Sequence, residues 1–397
     1  MNDMSIRTID ECFYQIRNGA NIKQGTVEGG YPITRIETTA NDRFNRDRMG
    51  YAGITDIEKY ESYILQDGDL LMSHINSVQY LGRTVLYEKQ GNEKIIHGMN
   101  LLGLKARRDI IIPAYARYCF YSYSFRQQIG RITKKSVNQA SFAVADLKKI
   151  KIKVPDLSEQ SRVVDILNRL NQVIEDRQQE LQKLDDLTKA RFVEMFGDLM
   201  INDKEWQQAK ISDICVEIVD CINKTAPTVE YETEYKMLRT TNVKNGDVNI
   251  TEVKYVKREE FEKWTRRSVP RNGDVLLTRE APMGQVGILQ GVKNDVFLGQ
   301  RLVSYRCNFV KMNSVFLTYQ MMSKYFQNQI EKTGKGSTVK HIPVPVCTEF
   351  EVFVPPIELQ KQFADFVNQV DKSKVEVQKA LDETQKLFDS LMQQYFG

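Results

Sequence analysis

Two stretches of this 397-residue chain, about 200 residues apart, carry the same landmarks in the same order, so the fold must be one that is built twice. Tyr31-Pro32-Ile33-Thr34-Arg35-Ile36 returns as Tyr235-Lys236-Met237-Leu238-Arg239-Thr240, and Asp67-Gly68-Asp69-Leu70-Leu71-Met72-Ser73 as Asn272-Gly273-Asp274-Val275-Leu276-Leu277-Thr278. Gln128-Ile129 ahead of Lys135-Ser136 matches Gln329-Ile330 ahead of Gly336-Ser337, and Val154-Pro155 before Glu159-Gln160 matches Val354-Pro355 before Leu359-Gln360. Each half divides again by composition. Residues 1–154 and 201–355 are rich in aromatics, glycine and short runs such as Asp69-Leu70-Leu71-Met72 and Thr84-Val85-Leu86-Tyr87, which read as short strands joined by turns, with helices near 113–130 and 313–331. Residues 157–196 and 357–396 hold no Pro or Gly and are filled with Leu, Gln, Glu, Asp and Lys, which predicts two long helices. The expected organisation is a head over 1–154, a helical segment over 155–200, a second head over 201–355 and a second helical segment over 356–397.

Both helices carry a heptad seam. In the first, alternating steps of four and three pick out Val163, Leu167, Leu170, Ile174, Arg177, Leu181, Leu184, Thr188, Arg191 and Met195. The same steps in the second select Phe363, Val367, Val370, Lys374, Val377, Leu381, Thr384, Phe388, Leu391 and Tyr395. A helix resting on a globular core drifts off a strict 3.5-residue period, so a stripe sustained over four heptads predicts two helices packed on each other as a coiled coil. The packing set is Val163, Leu167, Leu170, Ile174, Leu181 and Leu184 against Phe363, Val367, Val370, Val377, Leu381, Phe388 and Leu391. The alternative is two separate amphipathic helices, each on its own head. An antiparallel pair of about 35–40 residues at 1.5 Å rise makes a rod of roughly 50–60 Å with a similar head at either end, a pseudo-twofold shape suited to measuring distance. The fold class expected is α+β.

Charge separates the heads from the rod. Lys and Arg outnumber Asp and Glu by 23 to 16 over residues 1–154 and by 22 to 19 over 201–355, whereas acids lead 10 to 6 over 155–200 and 7 to 5 over 356–397. Two basic heads on an acidic rod favour a polyanionic partner over a solvated charged face. The six cysteines form no CxxC pair and read as reduced, mostly buried thiols, and the three histidines give little material for a metal centre or a Ser-His-Asp triad. No apolar run approaches the roughly 18–20 residues of a membrane span, and the start MNDMSIRTIDECF lacks the apolar core of a signal peptide, so the chain is expected in the cytoplasm.

Within the heads the basic residues sit in loop-like stretches with Asn, Gln and aromatics: 41–48, 131–139, 263–267 and 334–341. Arg reads guanine through O6 and N7, Asn or Gln reads adenine through N6 and N7, and Lys and Ser more often hold phosphate. The candidate DNA-contacting residues of the first head are Arg35, Arg43, Arg46, His74, Arg83, Lys134, Lys135, Ser136, Asn138 and Gln139. Those of the second are Arg239, Arg266, Arg267, Arg279, Gln285, Arg301, Lys335, Ser337, Lys340 and His341.

Val154-Pro155-Asp156-Leu157-Ser158-Glu159-Gln160 and Val354-Pro355-Pro356-Ile357-Glu358-Leu359-Gln360, each leading into a long helix, resemble the Pro-Pro-Leu-x-Glu-Gln lead-in of the specificity subunits of type I restriction-modification systems. Gly-Asp-Leu-Leu at 68–71 and Gly-Asp-Val-Leu-Leu-Thr-Arg at 273–279, followed at equal spacing by Gly82 and Gly287, look like the signature of that family's target-recognition domains. The resemblance spans essentially the whole chain. Asp156 stands in place of the second proline, Leu359 in place of glutamate, and His74 where the second head has Arg279. The resemblance implies a non-catalytic DNA reader: each head reads half of a bipartite, asymmetric target, and the rod sets the unread gap. It also implies that the rod docks two copies of a methyltransferase subunit that uses S-adenosylmethionine, and that restriction subunits using ATP and Mg join as motor-nuclease. No cofactor is expected in this chain.

Three catalytic readings compete weakly. Asp220 with Glu234-Tyr235-Lys236 has the spacing of a metal-dependent nuclease core, but Tyr235-Lys236 belongs to the repeat, whose other copy, Tyr31-Pro32, lacks the Lys. Gly334-Lys335-Gly336-Ser337-Thr338 has Gln329 where a phosphate loop's leading Gly belongs. No glycine motif for S-adenosylmethionine accompanies an Asn-Pro-Pro-Tyr type tetrad. The alternative from another class is an adaptor whose coiled coil bridges two protein partners.

Overall fold

The computed structural model describes residues 5–25, 28–136, 139–222, 224–333 and 341–397. The backbone separates into two units, 1–178 with 379–397 and 179–378, so each unit holds one head and a portion of both long helices.

In the first unit, strands β1 (Phe13–Asn18), β2 (Leu70–Ser73), β3 (Thr84–Leu86) and β4 (Leu101–Ala106) form an antiparallel sheet in the order β1-β4-β2-β3. Successive strand residues point to opposite faces, and both faces here are covered, which is why Leu70-Leu71-Met72 is an unbroken apolar run. Leu70 and Met72 join Leu102 and Leu104 in a core with Tyr115, Phe120, Phe125 and Ile129 from helices α1 (Pro113–Tyr121) and α2 (Tyr123–Ile132). Leu71 packs on the other side with Leu65, Val85, Tyr87 and Ile95. The first long helix, α3 (Leu157–Phe196), starts in this unit.

The second unit repeats the plan. Strands β5 (Cys215–Asp220), β6 (Val275–Thr278), β7 (Val286–Ile288) and β8 (Leu302–Cys307) follow the order β5-β8-β6-β7, and the short strands 246–248 and 243–244 extend the sheet beyond β7. Register repeats as well: Ser73 pairs with Leu101 as Thr278 pairs with Leu302, and β1 and β5 share a bulge just after their first residue. Helices α4 (Ser314–Met322) and α5 (Lys324–Thr333) cover the sheet as α1 and α2 do. The helical stretch expected near 113–130 and its repeat are each two helices, because Ser122 and Ser323 adopt extended backbone at ψ 150° and 154°. Ser122 then caps α2 by accepting the Phe125 N–H at 3.2 Å.

The repeated landmarks each perform one structural task. Gly68 and Gly273 turn the chain in the left-handed region, at φ +84° and +92°, and each donates its N–H across the sheet, to Tyr87 and Leu289. The following aspartates are buried. Asp69 accepts from the Gln66 N–H and the Lys105 ammonium, and Asp274 accepts from the Arg271 N–H and bidentately from the Arg306 guanidinium. Gln128 exchanges two hydrogen bonds with the Lys151 backbone, and Gln329 does the same with Glu351. The glycine equivalent to Gly82 is Gly284, not Gly287. Gly82 and Gly284 lie at φ +74° and +83°, each donates to the end of the preceding strand, at Ser73 and Thr278, and each sits against the repeated isoleucine, Ile129 or Ile330. Gly287 lies within β7, where an added Cβ would meet the Asp247 carbonyl at 2.3 Å.

The last helix, α6 (Ile357–Phe396), runs antiparallel to α3 in each unit. In the first unit, Arg162 near the start of α3 lies over the Tyr395 ring, while Tyr118, hydrogen-bonded to Asn168 and Asn171 farther along α3, meets Phe388. In the second, Phe192 meets Phe363 at 5.4 Å and Asp185 pairs with Lys374 at 2.7 Å. Every heptad position from Val163 to Met195 and from Phe363 to Tyr395 is buried or half-buried; off the seam, apolar residues such as Val164 and Phe192 are buried against the heads, whereas Leu187 and Leu387 are exposed.

Gln160 and Gln360, fully buried, explain the lead-in motif. The Gln160 amide accepts the Ile112 N–H at 2.8 Å and donates to the Ile110 and Pro155 carbonyls, fixing the start of α3 to the start of α1. Gln360 repeats this with Asn313, Lys311 and Pro355 at the start of α4. Each orphaned buried partner costs ~1–3 kcal/mol. Gln160→Leu and Gln360→Leu are therefore each expected to lose about 3 kcal/mol in denaturant unfolding, whereas a substitution at the exposed neighbour Arg162 leaves stability nearly unchanged.

Candidate nucleic-acid interface

In the first unit a polar cleft opens beside the sheet, lined by Thr39, Asn41, Arg48, Asn76, Tyr80 and Arg83. Two segments far apart in sequence line it, and a third pairs beside them. Residues 36–42 form a tight helical stretch that ends with Asn41 and Asp42 both at φ +59°, a left-handed pair that the short side chains of Asn and Asp tolerate. The chain after β2 supplies Asn76 and Tyr80. The third segment is the hairpin of Lys134–Lys135 with Ala140–Ser141, which pairs onto Ile75–Asn76 with Ala140 opposite Asn76. The pairing sets the exposed Lys134, Lys135, Ser136 and Gln139 at the edge of the cleft. The Ser136 hydroxyl donates to the Gln139 carbonyl at 2.8 Å.

The arginines of this unit divide by their partners. Arg83 lies over the Tyr80 ring at 4.5 Å, its Nη1 is 3.5 Å from Asp42, and its Nε has no hydrogen-bond partner. Arg43 is exposed and reaches Glu175 of α3 at 2.6 Å. Arg35 is half-buried beside Glu37. Arg46 is committed to the fold: it grips Glu93 bidentately, donates to the Glu88 carbonyl and lies over Phe44 and Tyr87. That grip, with bonds from the Gln90 N–H and the Tyr87 hydroxyl, holds the Glu93 carboxyl down to about 2.

His74 is corrected by its position. It is buried against Phe142, its carbonyl accepts the Phe142 N–H, and burial lowers its pKa, so at neutral pH it is an uncharged core residue. Arg279, its counterpart, is buried too. Its carbonyl accepts the Ile342 N–H, and its guanidinium donates to the Ile342 carbonyl at 3.2 Å. Both tie the end of the second sheet strand to a segment more than 60 residues later, at Phe142 and Ile342.

In the second unit Arg239 is half-buried at the start of the helical turn Thr240–Asn242, as Arg35 is before its own. Thr240 reaches the Ala281 carbonyl at 3.4 Å, and the exposed Arg301, at φ +77°, pairs with Glu280 at 2.7 Å. Arg266 and Arg267 are exposed beyond the helix Arg258–Trp264, with Arg267 paired to Asp220 at 2.6 Å. His341 is exposed and Gln285 half-buried. Asn138, Lys335, Ser337 and Lys340 lie outside the described residues.

Asp220 belongs to β5 and is held by Arg267, whereas Lys236 belongs to a different sheet and pairs with Asp295 at 3.0 Å, so the nuclease-like spacing does not assemble a site. Among the described residues, no cluster of three or more His, Cys, Asp or Glu is placed to hold a metal, and no helix is long and apolar enough to cross a membrane. Five of the six cysteines are buried and the sixth is half-buried, all as free thiols. Sequence reasoning missed Asn76 and Tyr80 and did not single out Asn41 or Arg48. The legible signal was the Asn41-Asp42 pair; Asn76 and Tyr80 gain their meaning only from the hairpin that pairs beside them.

The chain is thus a duplicated sheet-and-helix head on long antiparallel helices, with a polar, arginine-lined cleft beside the first sheet. The chain belongs to the type I restriction modification DNA specificity domain family, whose model matches residues 1–185 and 203–385. It is 28% identical over 398 residues to a Methanocaldococcus jannaschii protein assigned as the MjaX type I restriction enzyme specificity subunit, covering 95% of this chain and 91% of that one. The MjaVIII specificity subunit of the same organism is 24% identical over 284 residues, 66% of this chain and 67% of its own. In fold, the type I restriction-modification S subunit from M. genitalium superposes with a TM-score of 0.61 at 12% identity, covering 100% of this chain and 96% of that one. The chain is a DNA sequence-specificity subunit. Nothing in these comparisons favours the adaptor reading.

Proposed function

We propose that each unit reads one half of a bipartite, asymmetric DNA target through its cleft and flanking basic loops, and that α3 and α6 set the number of unread base pairs between the halves. The observation that carries this reading is one sheet framework, built twice with matched register, carrying different polar residues at equivalent places in each copy. The helices dock two copies of a methyltransferase subunit that methylates adenine with S-adenosylmethionine. Leu187 and Leu387, exposed at equivalent places on the outer faces of the two helices, support two equivalent docking sites. Restriction subunits using ATP and Mg join that complex, and the chemistry belongs to the partners. The chain works in the cytoplasm.

Half-site reading by basic loops implies counterion release, and a protein making six to ten phosphate contacts loses ~10³–10⁵ in affinity between 50 and 200 mM salt. The complex with its methyltransferase is expected to lose at least about 10³-fold over that range on a duplex carrying its methylated motif. It is also expected to keep a preference for that motif over a scrambled duplex. A flat salt response without sequence preference, measured by fluorescence anisotropy, would favour an adaptor.

A further inference from the structure

We infer that Arg83 and Gln285, which occupy the same place in the two copies of the fold, are the base-reading side chains that make the two half-sites differ, Arg83 selecting a guanine and Gln285 an adenine. The inference rests on the reading of each unit as a half-site reader and names one residue and one base for each.

Equivalence is fixed by the backbone. Each residue follows the left-handed glycine of its unit, Gly82 or Gly284, and each carbonyl accepts the N–H that closes the second sheet strand, Ser73 for Arg83 and Thr278 for Gln285. Ser73 and Thr278 stand opposite Leu101 and Leu302 in matched registers. Several positions that hold the fold together keep their chemistry between copies, Asp69 and Asp274, Lys105 and Arg306, Gln128 and Gln329, Gln160 and Gln360; where a buried pair does differ, His74 against Arg279, the guanidinium is spent on the Ile342 carbonyl of its own unit. At 83 and 285 the backbone bonds are kept and the side-chain chemistry changes. That is the expected mark of a position where the framework is shared and the ligand is not.

Neither side chain is needed by its own unit. Gln285 makes no side-chain hydrogen bond among the described residues; only its backbone bonds, to Thr278. Arg83 has a single ion contact of 3.5 Å and its unpartnered Nε is buried, which leaves the Nη groups without a hydrogen bond among the described residues, in contrast to Arg46, whose donors are spent on Glu93 and Glu88. Stacking on Tyr80 holds the Arg83 guanidinium plane beside the cleft that also presents Asn41, Arg48 and Asn76. A planar guanidinium matches O6 and N7 of guanine, and a carboxamide matches N6 and N7 of adenine; each bidentate pair discriminates roughly 10- to 100-fold.

The test is to map the methylated motif of the wild-type, Arg83→Gln and Gln285→Arg complexes. R83Q is expected to shift one position of one half from guanine to adenine by roughly 10-fold or more, leaving the other half unchanged, and Q285R to make the reverse change in the other half. Unchanged motifs with retained methylation, or both variants altering the same half, would overturn the inference. If a swapped chain does not fold or methylate, Arg83→Ala is compared with wild type on duplexes in which 7-deazaguanine replaces each guanine of the half-site in turn. Wild type loses roughly 10-fold at one guanine while R83A is indifferent there; equal sensitivity of the two overturns the assignment. A wild-type complex that yields no two-part motif counts against half-site reading itself, a result distinct from either.

Discussion

Replacing residues 206–355 with the matching segment of another family member is expected to exchange one half of the methylated motif and leave the other half and the gap as they were. The segment carries the whole second sheet with α4 and α5, and within it lie Gln285, Arg301, Arg266 and Arg267. Specific complexes exceed non-specific binding by ~10³–10⁷, so the change in preferred sequence should be close to complete. The graft must satisfy one packing condition. Phe192 of α3 stacks on Phe316 and Tyr319, and Phe196 meets Phe316 at 4.5 Å with the rings tilted; Phe316 and Tyr319 lie inside the exchanged segment. A donor with aromatics at both places keeps the unit folded, since losing a buried aromatic costs ~3–5 kcal/mol. Altered bases in both halves of the motif would show that reading is shared between the units.

Removing one heptad from each long helix, residues 174–180 and 377–383, is expected to shorten the unread gap without altering either half-site. The segments face each other by extrapolation from the pairs Arg191 with Phe366 and Arg162 with Tyr395, whose residue numbers both sum to 557. Seven residues at 1.5 Å remove about 10 Å, the rise of about three base pairs. Seven residues make nearly two whole helical turns, so the seam stays in phase, and the deletion takes out Ile174 and Val377 from the buried stripe. Three base pairs also turn the duplex by roughly 100°, so affinity falls even as the motif shortens. A methylated motif with its gap unchanged would contradict the ruler.

The legible part of this fold was what repeats. Gly68-Asp69 and Gly273-Asp274, the Gln-Ile pair and the Pro…Gln lead-in are local motifs with local jobs, and two copies made them visible above noise. The heptads were equally plain, since a 3.5 period is written along one helix. Less legible was which arginines are free. Arg46 and Arg83 both looked like loop cations; only the distant Glu93 and Glu88 show that Arg46 is spent on the fold. His74 and Arg279 looked like surface contacts in a polar stretch, yet each is buried by a chain segment more than 60 residues later. Gly287 matches Gly82 by even spacing, but the loop after the second strand is three residues shorter in the second copy, which makes Gly284 the true equivalent.

The most direct test is a genome-wide map of adenine methylation in cells with and without this gene, the proposed methyltransferase partner being supplied in both. Loss of a two-part motif with a fixed gap is the predicted result. An unchanged map, with the protein expressed and bound to its methyltransferase, would contradict the account.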